Sequence, residues 1–169
     1  MHLKRLQLTL FIEENEAQSI EKIRRTFNPL QFELIKAHVT LCREDELENI
    51  EGVMLNLEKL NKAYVTIDFG DIIRFSEEKG VLIPALDDNE SFQKLRATIL
   101  EGIIDQPRKH TPHITLMHPR NSTCSDSIFE QIQKVELPKK IRFKKISIIE
   151  QVMGMKWQVW RDFELKKPH

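Results

Sequence analysis

The chain has 169 residues, 40% apolar and 31% charged, with Lys+Arg and Asp+Glu both at 26 and a formal net charge of zero. This length suits one domain, residues 1–169, with a substantial core, and the composition is that of a soluble globular protein. Zero net charge excludes the global basic field behind non-specific duplex binding, and no apolar run reaches membrane-spanning length.

Met1-His2-Leu3-Lys4-Arg5 leads straight into an alternating pattern with no signal-peptide character, so a cytoplasmic location is expected. Cys42 and Cys124 then read as free thiols. Leu6, Leu8, Leu10 and Ile12 alternate with Gln7, Thr9 and Phe11, which predicts a strand with one core face. A helix follows over 15–27, capped by Asn15, with Ala17, Ile20, Ile23 and Phe27 on one face. Asn28-Pro29 ends it, and a short connection leads to a strand from Ile35 to Cys42. Asp45 to Glu48 has the form of a capping box for a second helix carrying Leu47, Ile50, Met54 and Leu57. Tyr64 to Phe75 reads as a strand, Ser76 to Gly80 as a turn, and Val81 to Leu86 as a strand covered on both faces.

Asp88 and Asn89 cap a third helix with Phe92, Leu95, Ile99 and Ile103 on one face. A strand runs from Pro112 to Met117, and a fourth helix starts near Ser125 with Ile128, Phe129 and Ile132 apolar. Ile141 to Val152 and Lys156 to Leu165 are the last two strands, joined by a turn at Met153-Gly154-Met155. Trp157 and Trp160 fall on opposite faces of the final strand, so at least one is expected in the core.

Four residues occur twice. His38-Val39-Thr40-Leu41 returns as His113-Ile114-Thr115-Leu116, 75 positions later. Strand alternation puts each His and Thr on one face and their apolar neighbours on the other. The order strand, helix, His-Thr strand, helix, strand also occurs twice, over approximately 4–75 and 80–152, with a final strand over 156–165. Leu8 matches Ile83, and Ile20 matches Leu95. An internal duplication with a pseudo-two-fold axis is inferred, with the two His-Thr pairs facing each other across a cleft. Two imidazoles near neutral pH supply one proton acceptor and one proton donor. Two hydroxyls can hydrogen-bond phosphoryl oxygens. This set suits cleavage of a strained phosphodiester, and its chemistry requires no metal and no cofactor.

The paired tetrapeptides resemble the two signature motifs of the two-histidine (2H) phosphoesterase superfamily, which includes 2′-5′ RNA ligase and RNA 2′,3′-cyclic phosphodiesterase proteins. The likeness spans nearly the whole chain, including the opening strand and Pro112 before the second motif. It implies a bilobal α+β fold with two antiparallel sheets around a central cleft. It implies His38 and His113 as general acid and base, and Thr40 and Thr115 as phosphate ligands. The implied partner is an RNA end or small nucleotide bearing a cyclic phosphate. No obligate protein partner is evident, and a monomer is expected. The expected reaction is metal-independent opening of a 2′,3′-cyclic phosphate. RNA-end ligation or 3′ trimming, and a catalytically silent nucleotide- or RNA-binding module, are the alternatives.

Further substrate-binding candidates are weaker. Phe11 lies on the non-core face of the first strand, where it can stack on a base or serve as an ordinary aromatic. Arg43 and Arg120 each closely follow a motif strand and can pair with phosphate or simply face solvent. His118 falls on the opposite face if its strand continues, and otherwise reads as a loop histidine. His110 reads as structural or solvated. The basic stretch at Lys139, Lys140, Arg142, Lys144 and Lys145 reads as a solvated face rather than an RNA track. A zinc site from His110, His113, His118 and Cys124 fits no standard spacing.

Overall fold

Period-two alternation decides which strands share the core. The structure, a computed structural model, describes residues 4–167; the readings of Met1–Leu3 and of Pro168 and His169 lie outside them. The elements are β1 (Lys4–Phe11), α1 (Glu14–Phe27), α2 (Pro29–Leu34), β2 (His38–Cys42), a 3-10 turn (Glu44–Glu46), α3 (Ile50–Glu58), β3 (Val65–Asp68) and β4 (Ile73–Phe75). They continue with β5 (Gly80–Pro84), α4 (Glu90–Ile99), β6 (His113–Met117), α5 (Asp126–Gln133), β7 (Lys140–Phe143), β8 (Lys145–Val152) and β9 (Gln158–Glu164).

The fold is α+β, with two antiparallel sheets. One has seven strands in the order β4-β5-β6-β2-β1-β8-β9, and the other pairs β3 with β7. Leu8, Leu10, Val39, Leu41, Val81, Ile83, Ile114 and Leu116 are buried on one face of the large sheet. Ala17, Ile20 and Ile23 of α1 and Phe92, Leu95 and Ile99 of α4 belong to the same core. No helix among the described residues is long and apolar enough to cross a membrane.

A pseudo-two-fold axis runs between β2 and β6, where Val39 pairs with Ile114. The offset of 75 holds for these strands and for β3 and β7, which cross the same axis as an antiparallel pair. It does not hold for β1 and β5. Leu10 pairs with Val39, and Ile83 pairs with Ile114, so the counterpart of Leu8 is Val81 rather than Ile83. The path from β5 to β6 is two residues longer than that from β1 to β2. Both outer strands carry a register shift at the equivalent place, Leu8/Thr9 and Val81/Leu82. A bulge in each copy re-aims the side chains beside the motif strand.

Several local expectations are corrected. Helix α1 begins at Glu14, with Glu13 in the cap position and no side-chain cap bond. Pro29 does not merely end α1. Its fixed φ suits a first helical turn, and it opens α2 where a short connection was expected. Asp45–Glu48 is not a capping box: the 3-10 turn sits there, and Asn49 caps α3 by accepting from Gly52 N at 3.0 Å. The expected strands over 64–75 and 141–152 are each split, because β3 and β7 leave for the small sheet while β4 and β8 stay in the large one. Neither tryptophan is in the core. Strand β9 is an edge strand on which Phe163 alone is buried; Trp160 is 48% exposed and Trp157 half-buried.

Candidate active site

Strands β2 and β6 have the same burial pattern: half-buried His and Thr on one face, buried apolar residues on the other. The antiparallel register at Val39 and Ile114, carried one residue each way, sets His38 opposite Thr115 and Thr40 opposite His113. All four line one cavity of about 930 Å³.

The two rings are held by the same device. His38 Nδ1 donates to Lys36 O at 2.7 Å, and His113 Nδ1 donates to Thr111 O at 3.1 Å, each two residues back. A carbonyl oxygen only accepts, so Nδ1 carries the proton of each neutral ring. Nε2 is left with its lone pair free for chemistry. Burial pushes His38 down to about 4, helped by the charges of Arg24 and His113 and opposed by Lys36 O. Burial also lowers His113, with Arg43 adding to it and Thr111 O opposing. The imidazoles of the free protein are therefore set to be neutral at pH 7. An anion arriving between them favours the protonated form and so can supply the acid.

The two threonines are supported differently. Gln7 Nε2 donates to Thr9 Oγ1 at 2.8 Å and to Thr40 Oγ1 at 3.1 Å. An accepting hydroxyl keeps its own O–H free to donate to a phosphoryl oxygen. Thr115 pairs instead with Leu82, the counterpart of Thr9.

Of the weaker candidates, Arg43, His118 and Arg120 line the cavity. His118 reaches it because β6 stops at Met117 and the chain turns, which breaks the alternation. Phe11 does not line it; its ring sits edge-on to His38 at 6.1 Å. Among the described residues no group of three or more His, Cys, Asp or Glu side chains is placed to hold a metal. Cys42 and Cys124 are buried free thiols, and burial pushes Cys42 up to about 12. None of the basic residues over 139–145 lines the cavity, and Lys140, Lys144 and Lys145 pair with Asp68, Glu13 and Asp162.

Sequence reasoning missed the supports. Arg24 is 2% exposed, ion-paired to Glu21 and donating to Ile35 O at 2.6 Å, while Glu21 accepts from Ala37 N at 3.1 Å. This clamps the chain entering β2. Arg96, also 2% exposed, makes two hydrogen bonds to Glu46 (3.0 and 2.7 Å) and donates to Leu41 O and Arg108 O. It ties the exit of β2 to the loop before β6. Burial alone would raise the Glu46 carboxyl, but hydrogen bonds from Arg96 and Arg43 N leave it lowered. The available signal was a charged residue inside each apolar helical stripe, Arg24 beside Ile20 and Ile23, and Arg96 beside Phe92 and Leu95. His110, read as structural or solvated, is buried rather than solvated. It is 4% exposed, its backbone is held by Gln93, and its ring lies 6.2 Å from that of His113.

The sequence profile of the 2′-5′ RNA ligase superfamily matches residues 12–154. The chain belongs to that superfamily, the 2H phosphoesterases. Among curated proteins none matches by sequence. Solved structures share the superfamily fold over almost their full length. Escherichia coli LigT complexed with phosphate superposes with a TM-score of 0.66 at 13% identity, covering 97% of this chain and 98% of LigT. LigT complexed with 3′-AMP gives 0.63 at 14%, covering 97% and 99%. A structure described as a phosphoesterase gives 0.65 at 15%, again covering 97% and 99%. At these identities the likeness speaks for the fold, and the superfamily's enzymes are phosphoesterases and ligases.

Proposed function

We propose that the protein is a metal-independent phosphodiesterase that opens 2′,3′-cyclic phosphates on RNA ends or nucleotides. The carrying observation is the matched pair of imidazoles, each held through Nδ1 by the carbonyl two residues back, across an axis that sets each His opposite a Thr. One neutral Nε2 takes a proton from water as the water oxygen bonds to phosphorus. The other Nε2, protonated once the anion is bound, gives its proton to the ribose oxygen as that P–O bond breaks. Thr40 and Thr115 donate to the non-bridging oxygens, whose charge grows in the transition state. Superfamily membership supports this reading, as do the LigT complexes with phosphate and 3′-AMP, both small phosphate ligands.

The test is turnover of a nucleoside 2′,3′-cyclic phosphate and of a short RNA ending in one, with a chelator present. Wild type is compared with His38→Ala and His113→Ala. Activity that survives the chelator and collapses in both variants is the expected result, and the product isomer assigns acid and base. Activity unchanged in both variants places the chemistry elsewhere. Joining of RNA ends without hydrolysis moves the assignment to the ligases.

A further inference from the structure

An indole forms part of the cavity wall. Trp157 stands just before β9, half-buried, and among the described residues it is the one tryptophan, tyrosine or phenylalanine that lines the cavity. The Arg5 guanidinium lies over its ring at 5.3 Å. Trp160 repeats the arrangement nearby, 48% exposed, with Lys4 Nζ 5.8 Å from its ring centre. Lys4 and Arg5 are consecutive on β1, and both line the cavity. Two large aromatics kept out of the core, each beside a cation, give the combination of stacking surface and positive charge that holds single-stranded nucleic acid.

The segment carrying Trp157 is braced. Trp157 N donates to Leu34 O at 2.8 Å, which pins the chain to the end of α2. Gln151, 4% exposed, accepts from Arg5 Nη1 at 3.1 Å and donates to Met155 O at 2.9 Å, so β1 and the turn before Trp157 are tied together. Arg5 Nε donates to Glu44 at 2.9 Å, and Lys4 pairs with Glu150 at 3.1 Å. Both cations are already partnered. This wall therefore offers a ligand flat aromatic surface rather than a charge trap for phosphate.

The ladder of β1 sets its distance from the two histidines. Thr9 pairs with Thr40, and Arg5 lies four residues before Thr9 on the same strand, or about 13 Å away at ~3.3 Å per residue. The register shift beside Thr9 leaves that count intact, because the extra residue is Leu41 of β2. Even spacing keeps Arg5, Gln7 and Thr9 on one face of β1, and Gln7 bridges the interval by donating to Thr9 and Thr40. One cavity of about 930 Å³ reaches both places. That volume is near the top of the ~300–1,000 Å³ range of ligand pockets, which leaves room for more than the reacting nucleotide.

We propose that Trp157, backed by Arg5, stacks the base of the nucleotide on the 5′ side of the reacting one and so selects RNA ends over cyclic mononucleotides. The place of that base in the substrate rests on the cyclic-phosphate reading; the stacking itself does not.

The test compares three probes: a nucleoside 2′,3′-cyclic phosphate, a dinucleotide ending in one, and the same dinucleotide without its 5′-side base. Turnover is read on wild type, Trp157→Ala and Trp157→Phe. Calorimetry runs in parallel with the matching 3′-phosphates, which carry no cyclic bond to open. Stacking on an aromatic ring predicts that wild type favours the intact dinucleotide over the abasic one by about 5- to 150-fold, in kcat/KM and in Kd. Trp157→Phe keeps most of that preference, and Trp157→Ala loses it. The abasic comparison on wild type needs no variant, so it decides the matter even where Trp157→Ala fails to fold. Equal treatment of the intact and abasic dinucleotides by wild type overturns the platform, even where both are preferred to the mononucleotide, since the selectivity then lies in the RNA backbone. A preference that survives in folded Trp157→Ala overturns it as well. Failure to turn over any cyclic probe, with the base preference present among the 3′-phosphates and lost in Trp157→Ala, overturns the reaction and leaves the platform standing.

Discussion

The two halves of the molecule hold their histidines identically and support them differently. Each ring is fixed by the carbonyl two residues before it, and each motif strand buries an equivalent apolar pair, Val39 and Leu41 in one and Ile114 and Leu116 in the other. Beyond that the equipment diverges. The first half gives Thr40 a partner in Gln7 and gives His38 the edge of Phe11. In the second, Leu82 and Pro84 occupy the places of Thr9 and Phe11, and His113 has His110 beside it. The backbone geometry that the chemistry requires is repeated, while the surroundings that tune each group are not. The proposed reaction treats its two oxygens differently, one gaining a proton and one losing it. Divergent supports around a repeated frame are what such a reaction calls for.

The widest break of this comparison is to remove the rings. His38→Ala and His113→Ala should each lower kcat by roughly 10²–10⁴-fold. The double variant should cost little more than either single one, because the two act as a unit. Losses that multiply would mean two independent contributions.

Next comes the frame between the halves. Arg96→Ala leaves Glu46 buried without its partner. Breaking a buried pair costs roughly 3–5 kcal/mol, and at this chain length each kcal/mol shifts Tm by ~2–4 °C. Thermal unfolding should show a fall of several degrees or more. The companion Arg24→Ala loses the clamp ahead of His38 rather than His113, so its excess effect on kcat reports on the first half alone.

His110 gives an effect of opposite sign. Its Nε2 is buried without a partner among the described residues, and its ring lies 6.1 Å from that of Phe92. Replacing an unsatisfied buried group with an aromatic of similar shape recovers part of ~1–3 kcal/mol, so His110→Phe should raise Tm by a few degrees. Burial and the charges of Arg96 and Arg43 push His110 down to about 4 from an ordinary 6.5. Between those values the unfolded chain binds a proton that the fold refuses. Wild-type stability should therefore rise from pH 4 to pH 6.5, with His38 acting in the same direction. His110→Phe should flatten that slope; an unchanged slope would place the titration elsewhere.

The smallest effect sharpens the comparison most. Gln7→Leu makes the first half resemble the second by removing the donor to Thr40. A neutral hydrogen bond is worth about 0.5–1.5 kcal/mol, so kcat/KM should fall roughly 2- to 13-fold. No change would mean that Thr40 needs no orientation.

The sequence by itself determined most strand and helix faces, the repeated element order, the axis and the four residues beside it, and its resemblance to the two-histidine phosphoesterases implied the fold class. The faces and the axis follow from local periodicity and from one tetrapeptide pattern occurring twice, and neither needs a contact partner to be read. Element boundaries were less legible where tertiary pairing overrode local pattern. The stretches 64–75 and 141–152 each read as one strand, and only the presence of two sheets explains why each is cut. The two-residue displacement between β1 and β5 was invisible too, since register is set by pairing and by bulges rather than by sequence spacing. The supporting residues were least legible. Gln7 reaches Thr40 from 33 positions away and Arg96 reaches Glu46 from 50. What Arg24, Arg96 and His110 do depends on what burial brings against them. Charge and hydrogen bonding gain their weight from low dielectric and from distance, and both are properties of the folded chain.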